Sequence, residues 1–288
     1  MTTTTEITLK PKDYKSGIRI VWCAGCGDYG VLNAVQKSFS QLKLSIDNTV
    51  CVSGIGCSSR LPYFLKTYGF HSAHGRALPV ATGIKLANPS LEVLVFGGDG
   101  DGFSIGGGHV AHVVRKNIEL TYIMMDNHIY GLTKGQVSPT SGAGFVTATT
   151  PYGSPDTTSV NPLSYVLTYG GTFVAQAFSG NPKQLAEIIE QAISHKGFSF
   201  VNIISPCLTF NKVDTFDYYK NAITELPEDH DSSNLVQALD RAINPPDGKV
   251  YTGLFYKSER PTLRTNLDGI NQKAGAEAIN KIIDGFKP

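Results

Sequence analysis

Short apolar segments alternate with helix-like segments between residues 49 and 204, and this alternation restricts the fold more than any other feature. Strands that alternate with helices are typical of an α/β fold with a doubly wound, mostly parallel sheet. We therefore expect that fold class here. The predicted strands are residues 49–53, 91–98, 120–127 and 198–204.

The helices are predicted from apolar residues that recur every three or four positions. In residues 29–42, for example, Val31, Leu32, Val35 and Phe39 share one helical face. Further helices are predicted at 77–86, 105–116 and 182–195, with a helix followed by a strand within 161–179.

The chain divides into three predicted regions. Residues 1–20 are polar and are expected to lie across the surface as an N-terminal arm, and residues 21–207 form the α/β domain. From 208 to 288 the rhythm of strands and helices fades, which predicts an extension of helices and loops that packs on the domain or on a partner subunit.

Charge and hydropathy exclude several classes of protein. The 25 basic and 24 acidic residues balance, which argues against nucleic-acid and membrane-surface binding. The sequence has no apolar run of the roughly 20 residues that cross a bilayer. Its first residues have neither the basic start nor the apolar core of a signal peptide, so we expect a cytoplasmic protein.

Glycine-rich and polar clusters follow the predicted strands, at 54–58, 97–102, 126–136 and 206–207. In open α/β sheets, ligands bind at the carboxyl ends of the strands. Because each cluster falls at such an end, the sequence predicts one ligand site built from several loops.

The most specific cluster is Gly-Asp-Gly-Asp-Gly at 98–102, followed by Asn127 after the next strand. Carboxylate and amide oxygens suit Mg²⁺, which takes its remaining ligands from phosphates and water. The helix predicted to begin near Ser104 favours an anion at its N-terminus. These residues predict a magnesium-held diphosphate, although a tight glycine turn with solvated acids is the alternative.

Five cysteines, an odd number, argue against a disulfide framework in a reducing compartment. Thiolates select zinc or iron–sulfur clusters. Structural zinc sites usually use two paired motifs, whereas here only Cys23 and Cys26 form a pair and Cys57 and Cys207 are solitary. This pattern favours an iron–sulfur cluster. Cys51 lies within a predicted strand and is expected to be a buried apolar residue.

These motifs carry a family resemblance that extends from about Trp22 to Lys212. The Gly-Asp-Gly motif with its later asparagine resembles the fingerprint of thiamine-diphosphate enzymes. The cysteine spacing resembles that of the β subunits of 2-oxoacid:ferredoxin oxidoreductases. The surrounding sequences agree, namely Trp-Cys-Ala-Gly-Cys-Gly at 22–27, Gly-Ile-Gly-Cys-Ser-Ser at 54–59, His-Gly-Arg-Ala at 74–77, Met-Asp-Asn-His-Ile-Tyr-Gly-Leu-Thr-Lys-Gly-Gln at 125–136 and Ser-Pro-Cys at 205–207.

The resemblance implies a role for each matching residue. Asp99, Asn127 and the carbonyl of Ile129 are expected to ligate Mg²⁺. The thiolates of Cys23, Cys26, Cys57 and Cys207 are expected to hold a 4Fe–4S cluster. Arg60 and Leu132 are expected near the substrate pocket, with arginine standing where many similar subunits have lysine. The expected cofactor contacts are Ile55, Gly56, Cys57, Ser58, His74, Gly100, Asp101, Gly131 and Leu132.

The implied activity is the coenzyme A-dependent oxidative decarboxylation of a 2-oxoacid, with electrons passing through the cluster to ferredoxin. The resemblance also implies a separate α subunit, which supplies the glutamate that activates thiamine diphosphate. Three alternatives remain: a non-redox thiamine-diphosphate decarboxylase or synthase, a zinc-stabilised module without catalysis, and an indolepyruvate-type relative. The sequence does not determine which 2-oxoacid is used.

Overall fold

A computed structural model describes residues 9–269, 281 and 283–286. Its strands are β1 (Thr49–Ser53), β2 (Tyr68–His71), β3 (Glu92–Gly98), β4 (Leu120–Asp126), β5 (Phe173–Phe178), β6 (Phe198–Ile204), β7 (Ile223–Glu225) and β8 (Val250–Lys257). These eight strands form one sheet in the order β2-β1-β3-β4-β6-β5-β8-β7. The first six in that order are parallel, β8 is antiparallel to β5, and β7 is parallel to β8. The doubly wound, mostly parallel sheet is thereby confirmed.

Strands β4 and β6 lie at the centre of the sheet. Every residue of both strands is buried, and they pair in parallel from Leu120 opposite Phe198 to Asp126 opposite Ile204. A strand covered on both faces reads as a mostly apolar run, which is why these segments were recognisable in the sequence.

Helices cover both faces of the sheet. They are α1 (Asp28–Gln41), α2 (Ala77–Ala87), α3 (Gly107–Lys116), α4 (Pro162–Thr168), α5 (Pro182–Ser194), α6 (Phe216–Ala222) and α7 (Leu235–Ile243). One face packs against α1 and α5, and the other packs against α2, α3, α4 and α7.

Two helices begin at Asn-Pro pairs for the same physical reason. The side chains of Asn161 and Asn181 accept the backbone N–H groups of Ser164 and Gln184, which lack partners within their helices. The proline that follows each asparagine has the backbone torsion of a first helical residue and lacks an N–H group to satisfy.

The strand order produces a crevice at the carboxyl ends of the strands. The chain passes from β1 to its neighbour β2 on one side and then returns to β3 on the other side of β1. The loops after β1 and β3 therefore diverge, and a crevice between diverging loops is the usual ligand site of such sheets.

The region after residue 208 differs from its prediction. Helices and loops alone were expected, but β7 and β8 extend the sheet beyond β5. The β8 segment contains Gly253, with a φ of 135°, and its pairing with β5 is irregular between Val174 and Ala175. These interruptions obscure the alternation by which a strand is recognised. Strand β2 was also missed, because it has only four residues and all are exposed.

Residues 9–20, the described part of the predicted arm, pack against α1. Tyr14 is completely buried, and its hydroxyl donates to the carbonyls of Phe39 at 3.0 Å and Leu44 at 2.7 Å. This segment is thus attached to the core by a buried aromatic residue. The domain limits at residues 20 and 207 stay predictions, and residues 1–8 lie outside the described part of the chain. Within the part of the chain that the structure describes, none of the helices has the combination of length and hydropathy that a membrane span requires.

Candidate functional site

A cavity of about 460 Å³ opens at the carboxyl ends of β1, β3 and β4. Its walls come from three of the four clusters that the sequence marked, those at 54–58, 97–102 and 126–136, together with His74. The predicted magnesium and cofactor residues all line it, namely Ile55, Gly56, Cys57, Ser58, His74, Asp99, Gly100, Asp101, Asn127, Ile129, Gly131 and Leu132.

Asp99 follows β3 and is 2% exposed. Its Oδ2 atom accepts a hydrogen bond from Thr140 Oγ1 at 2.8 Å. Burial and the neighbouring charge of Asp126 raise the pKa of Asp99 to about 7. A cation would stabilise the ionised form of such a carboxylate, so this residue fits a bound metal ion.

Asn127 follows β4 and is arranged by a local turn. Its Oδ1 atom accepts the N–H of Ile129 at 3.1 Å, which leaves a second lone pair on that oxygen. Its carbonyl accepts from the buried side chain of Asn211 at 3.1 Å. The next residue, His128, has a φ of 56° and turns the chain back toward the cavity. Asn127 can therefore present an amide oxygen opposite Asp99.

Asp101 joins two walls of the cavity through hydrogen bonds. Its Oδ1 atom accepts from Ile55 N at 2.9 Å and from Gly75 N at 2.7 Å, and it lies 3.0 Å from His74 Nδ1. When Asp101 is ionised it only accepts, so His74 carries its proton on Nδ1 and keeps Nε2 for the cavity. Gly54 is required here because a Cβ atom at that position would lie 2.0 Å from Asp101 Oδ2.

Tyr130 closes the cavity beside the glycine motif. Its hydroxyl donates to the carbonyl of Gly100 at 3.2 Å. A Cβ atom on Gly100 would lie 2.2 Å from the Tyr130 ring, so only glycine allows this packing. The loop after β4 is thereby held against the loop after β3.

A second pocket, of about 200 Å³, lies next to this cavity and is lined by Cys23, Cys26, Cys57 and Cys207. All four are free thiols; Cys23 is exposed and the other three are partly exposed. A Cβ atom on Gly131 would lie 3.5 Å from the sulfur of Cys207 and 3.9 Å from that of Cys57, so these two sulfurs flank one point. The structure thus brings together the four cysteines that the sequence singled out.

Hydrogen bonds between distant segments assemble this cysteine pocket. The N–H of Gly27 donates to the carbonyl of Pro206 at 3.1 Å, and Ser205 Oγ donates to Asp28 Oδ1 at 2.7 Å. These contacts place the loop of Cys23 and Cys26 beside Cys207.

Trp22 makes the corresponding contact to Cys57. Its indole N–H donates to the carbonyl of Cys57 at 2.7 Å, and its ring packs edge-on against Phe64 and Tyr29. The third cysteine is therefore held by a rigid aromatic group on the first loop.

The thiols fit a group that carries positive charge. Burial, with a smaller contribution from Asp28, raises the pKa of Cys26 above the usual thiol range and that of Cys57 to about 11. Bound iron would reverse this preference by stabilising the thiolates. Among the described residues, no three His, Cys, Asp or Glu side chains are arranged to hold a single ion. A four-iron cluster instead needs sulfurs around a shared space, with one thiolate for each iron.

The remaining predicted residues have distinct positions. Arg60 lines the cysteine pocket, where its charge lowers the pKa of Cys57, and it is absent from the lining of the larger cavity. Leu132 lines both spaces and is 41% exposed. Cys51 is completely buried and accepts a hydrogen bond from Thr67 Oγ1 at 3.2 Å. It lines neither space.

Three residues of the site were missed by sequence reasoning: Trp22 as a ligand-positioning residue, Thr140 and Asn211. Thr140 belongs to a hydroxyl-rich stretch, Ser-Pro-Thr-Ser at 138–141, which was a usable signal. The partner of Asn211 lies 84 positions away in the sequence, and no local pattern predicts such a contact.

The fold and the larger cavity define the class of the protein. Residues 54–203 match the family model of the thiamine pyrophosphate enzyme, C-terminal TPP-binding domain. Residues 207–272 match the family model of the pyruvate ferredoxin oxidoreductase β subunit, C-terminal part. The class is therefore that of enzymes with a thiamine-diphosphate-binding domain.

Curated relatives identify the family within this class. The chain is 46% identical over 211 residues to a 2-oxoacid:ferredoxin oxidoreductase β subunit of Saccharolobus solfataricus, covering 72% of this chain and 68% of that one. It is 40% identical over 271 residues to a 2-oxoglutarate synthase subunit KorB of Methanothermobacter marburgensis, covering 91% of each. The chain belongs to the β-subunit family of the 2-oxoacid:ferredoxin oxidoreductases, which confirms the predicted resemblance.

Two further matches are to proteins named as 2-oxoglutarate oxidoreductases. A 2-oxoglutarate oxidoreductase subunit KorB of Mycobacterium tuberculosis is 49% identical over 208 residues, which span 72% of this chain but 56% of that protein. A solved 2-oxoglutarate:ferredoxin oxidoreductase of Magnetococcus marinus, with 2-oxoglutarate, coenzyme A and succinyl-CoA bound, is 53% identical. Its chain matches with a TM-score of 0.92 over 97% of both chains.

Proposed function

We propose that this chain binds magnesium thiamine diphosphate and a 4Fe–4S cluster side by side, and that it serves the oxidative decarboxylation of a 2-oxoacid by an α/β enzyme. One observation carries the proposal: the 460 Å³ cavity and the cysteine pocket share a wall. Cys57, Asn127, Gly131 and Leu132 line both spaces. A group in one space is therefore separated from a group in the other by about one layer of residues.

The larger cavity offers a cation site in which Asp99, the amide oxygen of Asn127 and the carbonyl of Ile129 are the protein ligands. The raised pKa of Asp99 supports this assignment, because the buried carboxylate lacks the positive charge that would favour its ionised form. Magnesium bound there would take its other ligands from the diphosphate and water. The remaining lining residues, from Ile55 to Ser58 and around His74, would contact the organic part of the cofactor.

In the proposed enzyme, thiamine diphosphate supplies the carbon nucleophile and the electron sink, and the cluster supplies a path for single electrons. The chain itself positions these groups and shields them. His74 keeps Nε2 free to exchange a proton within the cavity because Nδ1 is engaged by Asp101. Leu132 lies on the shared wall, where its apolar side chain limits the access of water.

Arg60 is proposed to serve the substrate carboxylate from the side of the cysteine pocket. Since it does not line the larger cavity, such a contact requires the substrate to approach the shared wall near Leu132. A planar guanidinium suits a carboxylate with two parallel hydrogen bonds. Arg60 also increases the positive charge beside Cys57, which favours the thiolate form.

A partner subunit is required by this proposal. Thiamine diphosphate is activated by a glutamate, and the cavity lining described here contains no glutamate. The names of the relatives as β subunits support an α subunit as the partner. Ferredoxin is proposed as the electron acceptor and coenzyme A as the acyl acceptor, and the Magnetococcus enzyme binds coenzyme A.

We propose 2-oxoglutarate as the preferred 2-oxoacid. Two relatives with that substrate in their names align with 91% and 97% of the chain, and the one from Magnetococcus has 2-oxoglutarate bound. The test is the anaerobic reduction of ferredoxin by the complex with its α subunit, with 2-oxoglutarate, pyruvate or a branched-chain oxoacid and coenzyme A. We expect the largest kcat/KM for 2-oxoglutarate.

Two outcomes separate the parts of this proposal. Faster turnover of pyruvate would overturn the substrate assignment and leave the enzyme class intact. A colourless protein that neither reduces ferredoxin nor binds iron would contradict the redox function itself and favour a non-redox thiamine enzyme.

A further inference from the structure

The loop of residues 138–141 does not line the 460 Å³ cavity, and its Thr140 instead lines a separate pocket with Asp126 and His128. Its Thr140 side chain is 6% exposed. Thr140 Oγ1 lies 2.8 Å from Asp99 Oδ2 and 2.9 Å from Asp126 Oδ1, so one hydroxyl group joins two buried carboxyl groups. Thr140 does not line the cavity, so it would not touch a cofactor bound there.

Other hydroxyl groups hold this loop in position. Ser141 Oγ accepts the N–H of Ser138 at 2.8 Å and donates to the carbonyl of His128 at 2.6 Å. The N–H of Val160 donates to the carbonyl of Pro139 at 2.8 Å. These contacts hold the backbone on both sides of Thr140, which limits the positions that its hydroxyl can take.

The contact bears on which oxygen of Asp99 is available to a cation. Asp99 is 2% exposed and lines the cavity, and its Oδ2 atom is hydrogen-bonded by Thr140, which does not line it. Ser138 also hydrogen-bonds this carboxyl group. A cation in the cavity would therefore take the oxygen that Thr140 does not hold, which is Oδ1. A buried carboxylate held by a hydrogen bond also loses less rotational freedom when it binds a metal ion.

Asp126 is a second buried acceptor beside the same hydroxyl. It is 2% exposed, and its Oδ1 atom lies 2.9 Å from Thr140 Oγ1. A threonine hydroxyl has one proton, so it donates to one carboxylate at a time, and it takes the place of water beside both.

We propose that Thr140 is a positioning residue for the metal-binding carboxylate, which acts by holding Asp99 through Oδ2 so that Oδ1 is directed at magnesium. The inference rests on the proposed function, since it assumes a cation held by Asp99 and Asn127. It adds a residue that touches neither the metal nor the cofactor and that sets the affinity for magnesium.

The test compares Thr140→Val, which keeps the shape and removes the hydroxyl, with Thr140→Ser, which keeps the hydroxyl. Both are made in the complex of the full chain with its α subunit, stripped of cofactor. Binding of thiamine diphosphate is titrated with Mg²⁺ and followed by protein fluorescence. Loss of a hydrogen bond to a charged group predicts that Thr140→Val needs on the order of tenfold more Mg²⁺ at half-saturation. Thr140→Ser should remain within about threefold of the unmodified protein.

Thr121 provides the matched control. It is 2% exposed on the same strand as Asp126, and its hydroxyl donates to the carbonyl of Ala192 at 3.3 Å. Thr121→Val should lower stability as Thr140→Val does but leave the Mg²⁺ midpoint unchanged. Saturating Mg²⁺ should restore cofactor binding by Thr140→Val, which a disrupted fold would not permit.

An unchanged Mg²⁺ midpoint for Thr140→Val, or the same increase for Thr140→Ser, overturns the role of the hydroxyl. If Thr140→Val does not assemble with the α subunit, Thr140→Ala is measured in its place against the same criterion. If the unmodified complex binds thiamine diphosphate without any dependence on Mg²⁺, the proposed function fails instead.

Discussion

Cys57 occupies a position that two different ligands would share. It lines the 460 Å³ cavity on one side and the cysteine pocket on the other, and its carbonyl is held by the indole of Trp22. Arg60 lies three residues further along and adds a positive charge at the same place. Cys57 is therefore one of the four residues that separate the two proposed groups.

We predict that Cys57→Ala abolishes the broad absorption at about 400 nm expected of the cluster and reduces bound iron. The loss follows because one of four thiolates is removed and the adjacent loop has no replacement sulfur. The measurement is absorption and iron content of the anaerobically purified complex. Cys51→Ala is the matched control, since Cys51 is buried in β1 outside both spaces and should leave the absorption unchanged. Iron at full occupancy in Cys57→Ala would refute the ligand assignment.

At the scale of residues, the sequence predicted the groups that lie at strand ends and missed those that act across the fold. Asp99 and Asn127 were found because each directly follows an apolar strand. Thr140 was missed because it contacts Asp99 from 41 positions away, through a loop without periodicity. Contacts of this kind depend on the order of the strands, which a single sequence does not specify.

The turn between α3 and β4 shows how one residue can join several elements. Asn117 ends α3 in the left-handed conformation, with a φ of 48°, and is 1% exposed. Its Oδ1 atom accepts from Thr172 Oγ1 at 2.8 Å and from Phe198 N at 2.9 Å. Its Nδ2 atom donates to the carbonyl of Arg260 at 2.9 Å. The starts of β5 and β6 are thus tied to the C-terminal segment.

We predict that Asn117→Ala lowers the free energy of unfolding by about 3 kcal/mol, from lost hydrogen bonds and a strained left-handed alanine. Asn117→Gly loses the same bonds without that strain and should be about 1 kcal/mol less harmful. Urea denaturation followed by circular dichroism measures both. The exposed helix-terminal Asn88 is the control, and Asn88→Ala should cost at most about 0.5 kcal/mol. Equal losses for alanine and glycine at position 117 would rule out the contribution of backbone strain.

At the scale of elements, the central strands were predictable and the edge strands were not. Strands β4 and β6 are buried on both faces, so their sequences are mostly apolar. Strand β2 is exposed throughout, and β8 is interrupted by Gly253. Their formation depends on pairing with β1 and β5 rather than on a pattern of their own.

Across the described residues, the lining of the 460 Å³ cavity contains no glutamate, the residue type that would activate the proposed cofactor. The lining provides carboxylates, amides, a histidine and a cysteine. The chain is similar to proteins that are named as β subunits, such as the one from Saccharolobus. The proposed activity therefore belongs to an assembly.

We predict that the purified chain alone catalyses no measurable decarboxylation of 2-oxoglutarate and binds little thiamine diphosphate. Addition of the α subunit should restore both, because it would bring the missing carboxylate to the cavity. The measurements are CO₂ release with an artificial electron acceptor and cofactor titration, each with and without the α subunit. Turnover by the isolated chain would disprove this dependence.

The hydrogen bonds that link Gly27 to Pro206 and Ser205 to Asp28 also constrain when the cysteine pocket can form during synthesis. The ribosome synthesises β1 to β6 between Cys26 and Cys207, so the four thiols cannot meet until those strands have been made. An inorganic group that needs all four thiols can therefore bind only after Cys207 has emerged.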